Sequence, residues 1–93
     1  MRLVFEWDPI KAGANARKHK VSLKEAATVF DDPLSSTFSD PDHSVEEDRF
    51  ITIGESSGGR LLIVSHTERG DRIRIISARA ATSSERQAYE ETR

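Results

Sequence analysis

The chain has no cysteine. That absence removes disulfides, thiolate zinc sites, iron–sulfur clusters and a cysteine nucleophile, and it fits a reducing compartment, so the expected localisation is cytoplasmic. Long apolar runs are missing as well. The start Met1-Arg2-Leu3-Val4-Phe5-Glu6 returns to charge at once, and no run approaches the roughly 18 residues of a membrane span, so neither a signal peptide nor membrane insertion is expected. Histidine is sparse: His19, His43 and His66 have no helical ligand spacing, and no metal site is expected. Gly13, Gly54 and the Gly58-Gly59 pair assemble no nucleotide-binding loop. With 93 residues, 35% hydrophobic and 32% charged, there is material for one domain with a thin core, which a binding partner would stabilise.

What the sequence does have is segregated charge beneath a formal net charge of −2. Residues 11–24 carry Lys11, Arg17, Lys18, Lys20 and Lys24 and no acid, whereas residues 25–48 carry eight acids and no base. Residues 49–79 hold Arg49, Arg60, Arg69, Arg72, Arg74 and Arg79 against three acids, and every base beyond Lys24 is an arginine. Guanidinium grips phosphate through a planar two-point fork, where ammonium is a point charge, so this bias fits a phosphate-bearing partner. Solvated surface arginines are the plain alternative.

Arg2–Trp7 is short and alternating and predicts a first strand. Asp8-Pro9 reads as an N-cap followed by proline at the first helical position, opening a helix over about residues 9–19. Ser22-Leu23-Lys24-Glu25 has the form of a capping box, and Leu23, Ala26, Ala27 and Phe30 follow at i, i+3, i+4 and i+7, the buried stripe of a second helix that Asp32-Pro33 ends. Leu34–Ser39 is a weaker strand before an acidic loop. Arg49–Ser56, Arg60–Thr67 and Arg72–Ala78 predict a meander that turns at Ser57-Gly58-Gly59 and at Arg69-Gly70-Asp71. Thr82-Ser83-Ser84-Glu85 opens a last helix carrying Ala88 and Tyr89. The order β-α-α-β-β-β-β-α predicts one α+β domain over residues 1–93, an antiparallel sheet with helices packed on one face. Strict alternation along the last strand puts Ile73, Ile75, Ser77 and Arg79 on one side and Arg72, Arg74, Ile76 and Ala78 on the other. With the isoleucines toward the helices, Arg72, Arg74 and Arg49 project from the open face, and Arg79 reaches it round the rim.

Phe5-Glu6-Trp7-Asp8-Pro9, Lys11, Asn15, Lys18-His19, the Ala26, Phe30 and Asp32 spacing, Glu47 with Arg49, Ile53-Gly54 and Arg74-Ile75-Ile76-Ser77-Ala78-Arg79 together resemble the BrnT toxins, over nearly the whole chain to Glu85 and Tyr89. The resemblance implies a RelE-like fold and a ribonuclease that stops translation, the toxin half of a bacterial type II toxin–antitoxin pair. It also implies a partner, the small DNA-binding antitoxin BrnA, which neutralises the toxin in a hetero-oligomer and represses their operon. No direct DNA binding by this chain is expected. Two positions depart from the family pattern: Lys20, where relatives often have glycine, and Leu23, where phenylalanine is frequent.

RNA cleavage without a metal or other cofactor requires few groups. The 2′-OH attacks the neighbouring phosphate, a base removes its proton, cations stabilise the crowded phosphorane, and an acid protonates the leaving 5′ oxygen. Arg49, Arg74 and Arg79 are the candidates for the cationic role, with ion pairing to carboxylates as their structural alternative. His19, His66 and Glu47 are the candidate proton carriers. His66 shares a strand face with Leu62 and Val64, which favours burial, and Glu47 lies two residues from Arg49, which favours an ion pair. Lys11, Lys18, Arg69 and Arg72 are expected to contact RNA phosphates. The alternative function is a non-catalytic module whose basic sheet face docks nucleic acid or an acidic protein.

Overall fold

A computed structural model describes residues 3–40 and 48–91. Strand β1 (Val4–Glu6) leads through Asp8, whose carboxylate accepts the Ile10 N–H at 2.8 Å, into helix α1 (Pro9–His19). Proline at the first helical position loses no hydrogen bond, and Arg17, Lys18 and His19 sit at the negative end of the helix dipole. The helix stops at Lys20, which adopts a left-handed conformation with φ of 60°, normally a glycine position. Lys20 is thus a residue whose departure from the family pattern has a backbone consequence.

Helix α2 (Leu23–Ala27) is shorter than its apolar stripe predicts and tightens into a 3-10 turn over Thr28–Asp31. The Thr28 hydroxyl donates to the Glu25 carbonyl at 2.6 Å and accepts from the Ser57 N–H at 2.8 Å. This back-bonding competes with the regular helical ladder. The tighter turn buries Val29 completely and leaves Phe30 only partly covered.

The remaining elements are β2 (Ser36–Ser39), β3 (Arg49–Glu55), β4 (Leu61–Arg69), β5 (Arg72–Ala80) and α3 (Ser83–Glu91). The sheet order is β1-β5-β4-β3-β2. Strands β2 to β5 are antiparallel, as expected; β1 adds in parallel at the far edge of β5, because the chain returns to it only after α1, α2 and the meander. Helices α1 and α2 pack on one face, where Val21, Leu23, Ala26 and Val29 meet Leu62, Val64, Ile73, Ile75 and Ala78. Helix α3 lies instead against the opposite face, its Tyr89 buried against Ile53, Leu61 and Ile63. Tyr89 is fastened there by a 2.7 Å bond to Asp32, whose carboxylate also accepts the N–H groups of Leu34 and Glu55.

Two close fits explain residues of the sequence pattern. A β-carbon at Gly54 would stand 2.8 Å from Val29 Cγ1 and 2.9 Å from Ser35 Cβ, so the 3-10 turn can approach β3 only over glycine. Asn15 is buried on α1, where its amide donates to the carbonyls of Val21 and Ala78 at 2.9 Å each and accepts the Ala78 N–H at 3.1 Å. It serves β5 as a substitute strand neighbour beyond the point where β1 ends, satisfying edge groups that burial would otherwise leave unpaired.

Candidate active site

The expectation of strict alternation along β5 is corrected by a bulge. Ser65 pairs with Ser77 but His66 pairs with Ile75, leaving Ile76 as an extra residue. A bulge inserts one residue and shifts the side-chain parity beyond it. Ser77 and Arg79 therefore share the open face with Arg72 and Arg74, and Ala78 joins Ile73 and Ile75 in the core. Arg79 need not reach round the rim. Cross-strand register aligns Arg49, Thr67, Arg74 and Glu6 in one row of this face, and Ile53, Ile63 and Arg79 in another.

Described carboxylates hold Arg72, Arg74 and Arg79. Glu6 accepts from Arg74 Nη1 at 2.9 Å and from Arg72 Nη1 at 3.3 Å, and these contacts, Arg74 first, lower its pKa. Glu85 accepts from Arg79 Nη1 at 2.8 Å and Nη2 at 2.9 Å, a two-point pair that brings its pKa down to about 2 and raises that of Arg79. Glu85 also closes the capping box of α3, accepting the Thr82 N–H at 2.9 Å while Thr82 Oγ1 accepts the Glu85 N–H at 3.2 Å. One carboxylate thus sets the start of the helix and the orientation of Arg79. The first capping box divides its work differently: Ser22 Oγ accepts the Glu25 N–H at 3.0 Å, but the Glu25 carboxylate turns to Arg60 and Ser56. Arg60 is thereby a structural arginine, also donating to the Lys20 carbonyl at 3.1 Å.

At the outer edge of β5, a groove is lined by Lys11, Lys18 and His19 from α1 and by Ile76 and Ser77 from the bulge. Three predicted residues are brought together here, beside the strand that carries Arg74 and Arg79. Arg69 pairs across the β4–β5 turn with Arg72, and Arg49 heads β3 on the same face. The Gly70-Asp71 connection is tight because Gly70 takes a φ of 62°.

His66 stands apart from this site. Its ring is 1% exposed, on the core face, stacked on Phe50 at 5.9 Å and edge-on to Phe30 at 4.9 Å. Burial pushes its pKa down to about 4. Nε2 bonds to Thr52 Oγ1 at 2.8 Å, and Thr52 bonds onward to Thr37 at 2.7 Å. A ring so enclosed has no surface to offer a polymer, so His66 belongs to the packing. Glu47 lies outside the described residues. Ser77 and Glu85 are the groups that sequence reasoning did not place in the site. The Ser77 position depends on the bulge, whereas Glu85 could have been found from its spacing to Arg79.

A small α+β domain ranks arginines on one sheet face, with a histidine and lysines at its rim, an arrangement of charge that suits a phosphate-bearing ligand. Comparison with known proteins gives that arrangement a family. Residues 7–85 match the family model described as the ribonuclease toxin BrnT of type II toxin–antitoxin systems, and the chain belongs to this family. The crystal structure of the Brucella abortus ribonuclease toxin BrnT has the same fold, with a TM-score of 0.64 and 24% sequence identity, covering 88% of this chain and all of that one. No curated protein sequence matches the chain. Family membership implies an RNA substrate and an antitoxin partner.

Proposed function

We propose that residues 1–93 act as one toxin domain that cuts RNA by attack of the 2′-OH on the adjacent phosphate, without a metal ion, and so halts translation in the cytoplasm. The observation that carries this proposal is the collection of Arg49, Arg74 and Arg79 on one face by the β5 bulge, beside a rim with His19 and Lys18. Arg79 and Arg74 stabilise the dianionic phosphorane, and their carboxylate partners hold the guanidinium planes ready before substrate arrives. His19 is the proton carrier, since it is the imidazole that lines the rim groove beside Lys18 and Ser77, where a substrate can reach it. Lys11, Lys18, Arg69 and Arg72 hold the strand on either side. Charge segregation explains why a chain of net charge −2 can still bind a polyanion: eight of its acids fall within residues 25–48, apart from the bases of residues 11–24 and the arginines of residues 49–79.

The partner is a BrnA-type antitoxin that covers the basic face in a hetero-oligomer, and operon repression falls to that DNA-binding subunit. Addition of the purified chain to a cell-free translation reaction tests the proposal. Protein synthesis stops and the messenger is fragmented, and both effects disappear when the antitoxin is added first. Arrested synthesis over intact messenger would instead identify a non-catalytic binding module.

A further inference from the structure

We infer that the open face carries a nucleobase-binding subsite beside Arg79, with Phe38 as its stacking platform; this rests on the proposal that the chain cleaves RNA. Where β2, β3 and β4 pass under α3 there is a cavity of about 360 Å³, floored by Ile51, Ile53 and Ile63 and walled by Phe38, Arg79 and Glu85. The volume is at the small end of the ~300–1,000 Å³ range of ligand sites. Phe38 pairs with Ile51 on the edge strand and is 51% exposed, so a large flat ring faces outward at the mouth of this cavity.

Two observations and one general rule favour a base as the occupant. Arg79 is common to the cavity and to the arginine face, so a strand whose phosphates lie along Arg74 and Arg79 has its next base at the cavity mouth. The lining includes Ser36, whose hydroxyl can donate or accept at the edge of an unstacked base, beside the Arg79–Glu85 pair, where Glu85 already accepts from both Arg79 nitrogens and the remaining guanidinium hydrogens are the donors. Single-stranded RNA is held elsewhere by aromatic rings that project from a sheet next to basic groups, because every base offers a π-face.

The test uses the full chain and a 2′-O-methyl RNA strand, which cannot be cut, with a single abasic site moved along it. Fluorescence anisotropy is expected to find one position at which removing the base weakens binding by about 5- to 100-fold, the range of base–aromatic stacking. In Phe38→Ala the sensitivity at that position disappears, and in Phe38→Leu, which keeps apolar cover on the edge strand but has no π-face, most of it disappears too. A strand indifferent to abasic sites at every position, or a sensitivity that persists in Phe38→Ala, overturns the subsite while leaving RNA cleavage standing. If Phe38→Ala weakens only antitoxin binding, the cavity belongs to the antitoxin and the inference is wrong. If the parental chain neither binds nor cuts any RNA, the proposed function falls and takes the subsite with it.

Discussion

The two faces of the sheet are built from the same strands yet treat polar groups in opposite ways. On the core face, His66 is buried between two phenylalanines, neutral, and bonded to Thr52. On the open face, Arg74 and Arg79 remain charged and partly exposed, each held by one carboxylate. The difference shows how to separate fold from function in a domain this small. Groups that lose their charge on burial serve packing, and groups whose charge is retained and aimed at solvent are available for a substrate.

Loss of an open-face arginine should give the largest effect. Arg79→Ala is expected to lower the cleavage rate by about 10²–10³, the cost of removing one preorganised donor to a developing anion. Its stability should fall by no more than about 1 kcal/mol, because the pair is half exposed and Glu85 keeps its bond to Thr82. Single-turnover cleavage alongside thermal melting checks both halves. Equal loss of stability and activity would erase the contrast between the faces.

Acid should act on the core face. A histidine held near pKa 4 when folded and near 6.5 when unfolded contributes stability that is complete above about pH 6.5 and lost as pH falls to about 4, at most about 3 kcal/mol. Glu85, whose pKa falls from 4.5 to about 2, loses its contribution in a lower window, between those values. Urea titrations from pH 7 to pH 4 should follow the histidine curve, and His66→Gln should flatten it without changing cleavage per folded molecule.

Gly54→Ala is expected to cost about 1–3 kcal/mol, since the new methyl must displace Val29 or Ser35. Smallest of all is Lys20→Gly, which should raise stability by up to about 1 kcal/mol by relieving the left-handed backbone, offset by the greater freedom of glycine in the unfolded chain. Denaturant midpoints measure both.

The elements were legible wherever local chemistry decides them. The Asp8-Pro9 cap, the Thr82–Glu85 capping box and the tight turn at Gly70 each rest on neighbours a few residues apart. The long-range features were not. The Ile75-Ile76 doublet interrupts the alternation of Arg72 to Arg79, but it does not by itself fix a bulge, which depends on the partner strand and on the Asn15 amide that grips Ala78 from α1. Placement of α3 on the opposite face was hidden for the same reason: it depends on Tyr89 reaching Asp32, which is 57 residues away in the chain. The places of Arg49, Arg72 and Arg74 on the arginine face could therefore be read from the alternation, and that of Arg79 could not.

The claim that this face performs the chemistry is tested most directly by the ends of the RNA it cuts. Incubation of the purified chain with messenger RNA in excess chelator, followed by mass analysis of the fragments, should yield 2′,3′-cyclic phosphates and 5′-hydroxyls, as attack by the 2′-OH requires. Cleavage that appears only when a divalent metal is restored, leaving 5′-phosphates and 3′-hydroxyls, would contradict it.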